Sequence, residues 1–121
     1  MKAAVVLAFS AGLAASPLAF AAEMDKGAMG SQEVTGEVVD MMCYVDHNAM
    51  GSKHAECANK CIKNGGPVGI VSDGKAILVV GAHKPMNDEL APLAGKTVTL
   101  KGKMASNGGV SMLENAEIVK K

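Results

Sequence analysis

The sequence predicts a mainly β domain: a small five-stranded barrel with one α-helix packed across it. Three observations lead there. Five short apolar or alternating runs are separated by Gly, Asn and Asp turn signals. Only one stretch of useful length, residues 53–63, carries a helical period. Five strands in so short a chain expose two edges unless the sheet closes on itself.

The first strand is read from Val34 to Met41, where β-branched residues dominate. Gly36 within it signals a bulge or a close backbone approach. Residues 46–51 read as a loop. Ser52 is placed as the N-cap of a helix from Lys53 to Lys63, stopped by Asn64-Gly65-Gly66-Pro67. At 100° per residue, His54, Cys57, Ala58, Cys61 and Ile62 form one stripe, read as the inward face. Lys53, Glu56, Asn59, Lys60 and Lys63 cover the other side. Two apolar runs, 68–71 and 76–80, flank Ser72-Asp73-Gly74-Lys75, a hairpin turn. Residues 87–93 allow one or two helical turns between Pro85 and Pro92. Residues 97–104 alternate, Asn107-Gly108-Gly109 turns the chain, and 110–119 make the last strand, irregular around Glu114-Asn115.

The chain opens with Lys2 followed by an apolar, Ala-rich run to Phe20. Ala19-Phe20-Ala21 fits small-x-small cleavage, so residues 1–21 are read as a signal peptide. Residues 22–32 are polar and read as a flexible arm; the domain is assigned to 33–121. Export to the periplasm or beyond the cell follows, with no membrane anchor after cleavage.

Composition excludes several classes of partner. Without Lys2, eleven lysines face twelve carboxylates, so no basic footprint for nucleic acid exists. No arginine is present for bidentate phosphate recognition, and nothing suggests a nucleotide site. Beyond the leader, Tyr44 is the only aromatic residue among Phe, Tyr and Trp, which removes stacking platforms for bases.

The residues that carry chemistry are Cys43, His47, His54, Cys57 and Cys61. An odd number of thiols in an exported chain leaves two options: a disulfide with one cysteine left over, or thiolates around a metal. Cys57 and Cys61 are i and i+4 on the expected helix, Cα atoms ~6 Å apart, so both reach one ion. Cys43 folds back as a third ligand. Either His47 or His54 supplies a fourth: His47 has a loop's freedom, whereas His54 lies ~10 Å along a regular helix from Cys61. Three thiolates with an imidazole suit Zn²⁺, and thiolates near Met41, Met42 and Met50 suit Cu(I). Core filling is the plainer reading of the methionines. Asp40 and Asp46 read as turn or capping residues, with a carboxylate oriented toward a ligand as the alternative. His83 reads as a surface-loop histidine.

Covalent c-type haem is excluded because Ile62 follows Cys61 and the spacing is Cys-x-x-x-Cys. The same spacing, without a βαβ frame, argues against a thioredoxin-like site.

The segment 93–103 with the Gly turn and last strand resembles the closing half of bacterial OB-like domains. The stretch Gly36 to Tyr44, with His54-x-x-Cys57-x-x-x-Cys61 and Gly66-Pro67-Val68-Gly69, resembles a group of small exported bacterial proteins of unassigned role. The resemblance implies export and a barrel, and brings no activity with it. The expected function is therefore metal binding (Zn or Cu) without catalysis, in periplasmic metal handling. A disulfide-stapled scaffold for a protein or small ligand is the alternative, and a thiol redox protein the third reading.

Overall fold

In the computed structural model, which describes residues 31–121, β1 (Gln32–Asp40) starts the barrel. The expected leader and most of the expected arm lie outside the described residues. β1 runs into helix α1 (Met41–His47), and residues 48–54 lead to α2 (Ala55–Lys63). A hairpin follows, β2 (Val68–Ser72) and β3 (Lys75–Val79). The short α3 (Asn87–Leu90) and a 3₁₀ turn at Ala91–Leu93 lead to the long pair β4 (Thr97–Asn107) and β5 (Val110–Lys120).

The strands close in the order β1-β2-β3-β5-β4. All neighbours are antiparallel except β3 and β5, which pair in parallel at Leu78↔Met112 and Val79↔Leu113. β1 closes the circle by pairing with β2 through its second half and with β4 through its first. The result is the mainly β, OB-like five-stranded barrel with small helices that the sequence predicts.

The turns follow their chemistry. Asp73 (φ 48°) and Gly74 (φ +73°) both take the left-handed region, as a two-residue turn of the primed type demands. Gly36 is a close approach, because a Cβ there would stand 2.6 Å from the Val71 carbonyl oxygen. The irregularity in the last strand is real: β4 and β5 shift register beside Glu114, and Asn115 has φ 52°.

Val38, Ile70, Leu100 and Leu113 are fully buried between the strands. Ile62 of α2 and Leu90 of α3 are equally buried and complete the same core. Each such side chain contributes ~1.5–3 kcal/mol by leaving water. The Asn87 side-chain amide donates to the Ile62 and Gly66 carbonyls at 2.7 and 2.8 Å. Asn59 donates to the Ala91 carbonyl at 2.7 Å. These bonds tie α2 to the α3 region and satisfy carbonyls at the end of α2.

Two local expectations change. The chain after β1 forms a helix where the sequence reads strand end and loop, because Asp40 caps it: Oδ2 accepts the Cys43 N–H at 2.9 Å. α2 begins at Ala55, preceded by a turn that includes Ser52, and its N-cap His54 makes no side-chain capping bond.

Candidate metal centre

The candidate centre lies where α1 meets α2. α1 is short because Asn48 takes the left-handed conformation (φ 55°) and turns its N–H back to the Cys43 and Tyr44 carbonyls. The chain then anchors twice. Ala49 is buried, and the Gly51 N–H donates to the Glu37 carboxylate of β1. The His54 N–H bonds the Gly51 carbonyl at 3.0 Å and starts α2 in the direction that returns Cys57 and Cys61 to Cys43.

The sulfurs of Cys43, Cys57 and Cys61 all lie within 4.8 Å of one another. All three are free thiols, so the stapling disulfide of the alternative reading is not formed here. Cys43 and Cys61 are half-buried and Cys57 is exposed. The inward stripe of α2 therefore divides: Ala58 and Ile62 enter the core, while the two thiols stand at its margin facing α1. That boundary position keeps the sulfurs reachable from solvent.

Asp40 is the electrostatic centre of the site. It is only 2% exposed, its Oδ2 holds the Cys43 N–H, and its Oδ1 has no hydrogen-bond partner. The hydrogen-bonding influence of this carboxylate, then burial and the carboxylate charge, push the Cys43 thiol up to about 12. Burial first, and its neighbour Cys57, also raise Cys61, against a smaller lowering by its hydrogen bond with Cys43. Three thiolates beside a buried carboxylate would repel one another strongly. The group is stable either as neutral thiols or around a cation.

The spacing fits a cation. Thiolates bound to Zn²⁺ at ~2.3 Å stand ~3.8 Å apart in a tetrahedron. Sulfurs already within 4.8 Å reach that spacing by small side-chain rotations. Three thiolates leave a fourth tetrahedral position for another ligand.

The histidines do not join this sulfur group. His47 stands in the last turn of α1 rather than on a free loop, and its Nδ1 lies 3.2 Å from Asp46 Oδ2. His54 precedes α2, and the two rings meet edge to face with centroids 6.4 Å apart. Both are exposed. His83 is an exposed loop residue, as expected. Met41 packs against Gly69 of β2, so it fills space. Met42 is 67% exposed beside Val45, and together with Met41 and Pro67 they line an open apolar groove along Cys43. The helix that carries Cys43 was hidden in the sequence; the signal for it was Asp40, an N-cap residue three positions before the cysteine.

Among the described residues, no helix is long and apolar enough to cross a membrane. No protein-family model, curated protein or solved structure matches this chain.

Proposed function

We propose that this is an exported protein that binds one thiophilic metal ion, Zn²⁺ or Cu(I), through Cys43, Cys57 and Cys61, and serves in metal handling outside the cytoplasm without catalysing a reaction. The observation that carries the reading is the convergence of the three sulfurs within 4.8 Å from two separate helices. Adjacent cysteines in one helix meet by spacing alone, but Cys43 reaches them only through the ordered turn at 48–54. The partly open setting suits a cargo ion that must enter and leave, since a closed four-ligand site is the structural type. Export is supported by the apolar leader and its small-x-small end. The neutral composition and lack of arginine support a metal partner over a nucleic acid.

The test is metal analysis with thiol counting on protein recovered from the periplasm after expression with its leader. One Zn or Cu per chain and three thiols released on chelation are expected, with the metal lost in Cys61→Ser. A Cys43–Cys57 or Cys43–Cys61 disulfide in that protein, with no bound metal, overturns the reading in favour of a stapled scaffold.

A further inference from the structure

We propose that His47 and His54 form a second, separate metal station, an imidazole pair that takes a hydrated borderline divalent cation such as Zn²⁺. It uses donors other than the three sulfurs and stands beyond the thiol site proposed above. Three observations carry it. The first is place. His47 follows Cys43 by four residues on α1, and His54 precedes Cys57 by three at the start of α2. Each imidazole is thus one helical turn, ~5.4 Å, from a cysteine of the sulfur group along its own helix. The two helices that join sulfur to sulfur join imidazole to imidazole in the next layer.

The second is mutual geometry. The ring centroids are 6.4 Å apart with the planes at 62°. Metal–nitrogen bonds are ~2.0–2.1 Å, so an ion between the rings reaches a nitrogen of each after small side-chain rotations.

The third is orientation. Asp46 Oδ2 lies 3.2 Å from Nδ1 of His47. With Nδ1–H donating to the carboxylate, Nε2 keeps its lone pair for a cation. This carboxylate–histidine arrangement is the one that fixes and strengthens imidazole ligands in metal sites. The backbone supporting it is ordered by the Asn48 cap and by the anchoring of Gly51 to Glu37, so little chain entropy remains to be lost on binding. Solvent fills the remaining positions, because both rings are exposed. Nitrogen donors favour Zn²⁺ or Cu²⁺ here, whereas Cu(I) belongs with the sulfurs.

Zn²⁺ titration of the reduced mature chain, read by native mass spectrometry and by ¹⁵N shifts of the histidine rings, tests the station. Two ions are expected for the wild type, and one for His47→Gln/His54→Gln, whose exposed positions leave the fold unchanged. Cys61→Ser is expected to keep the ring shifts while losing the sulfur-bound ion. Ring shifts that persist in Cys61→Ser with no change in total metal would sink the thiol reading and leave the station standing. A single ion in the wild type that leaves both rings unshifted overturns the station. So does a single ion that moves the rings and disappears on replacing either Cys61 or the histidines, because a histidine is then the fourth ligand of the sulfur site.

Discussion

Asp40 acts on Cys43 in two ways: its Oδ2 accepts the Cys43 backbone N–H at 2.9 Å, and the same carboxylate pushes the neighbouring thiol up to about 12. The first contact starts the helix that carries the cysteine. The second keeps its proton in place. One buried side chain therefore sets both where the sulfur stands and when it ionises.

Replacing Asp40 separates these roles. In Asp40→Asn the amide oxygen still caps α1, since Asn is as good an N-cap as Asp. The negative charge is gone, so the Cys43 thiol moves down from about 12 toward its ordinary value of 9.0. Alkylation of Cys43 followed against pH should show its midpoint shifted to lower pH, with little change in thermal stability. Asp40→Ala should shift it similarly and also cost about 0.5–2 kcal/mol through the lost cap. An unchanged alkylation profile in Asp40→Asn would show that the carboxylate does not govern the thiol.

The raised thiols also tie the metal-free fold to pH. The folded state keeps the Cys43 proton up to about 12, while an unfolded chain releases it near 9.0. Between those values the folded protein binds more protons, so its stability falls as pH rises. Below pH 9 this contribution is fully present. Cys61, raised chiefly by burial, acts in the same direction. Melting temperatures of the metal-free protein should decline from pH 9 upward, and Cys43→Ser should flatten part of that decline.

The barrel was legible in the sequence because its signals are local. Asp73-Gly74 and Gly108-Gly109 mark two hairpin turns by their demand for positive φ, and alternation from Thr97 marks the longest strand pair. The three thiols were legible as a group from their spacing. The detail around them was not. α1 is seven residues long and exposes Met42 and Val45, so it shows no amphipathic period to read. Its existence depends on one cap, Asp40. The meeting of His47 with His54 depends on that helix and on a turn anchored to Glu37, fourteen residues away. Contacts of that kind are set by tertiary structure and leave little local pattern.

Gly66 gives a packing test of the same site. An added Cβ would stand 2.6 Å from Asp40 Oδ1 and 2.8 Å from the Cys61 carbonyl oxygen. The second contact is with backbone, which cannot swing away. Gly66→Ala should therefore lose about 1–3 kcal/mol, as overpacked sites do. It should also weaken metal retention, because the strain falls on Asp40 and Cys61 together. Gly65→Ala is the control: nothing lies within 4 Å of its added Cβ, and only its φ of +96° opposes the change. Gly65→Ala should cost stability while leaving metal stoichiometry and retention unchanged.

Metal loading should stabilise the fold and release protons in one event. Without a metal the Cys43 thiol is pushed up to about 12 and Cys61 is raised as well, but a metal takes thiolates. Binding at neutral pH must therefore expel protons, close to three per ion if all three sulfurs coordinate. Calorimetry in buffers of different ionisation enthalpy measures that number directly. Lowering the pH should weaken affinity, since protons then compete with the ion for every sulfur. Stabilisation follows mass action: an ion present at 100 times its dissociation constant adds about 2.7 kcal/mol. Because Cys43 lies on α1 and Cys57 and Cys61 on α2, an ion held by all three would cross-link the two helices. A chelator should return the melting temperature to that of Cys61→Ser. Proton release close to one per ion, with no dependence of the melting temperature on metal, would mean that the sulfurs do not act together.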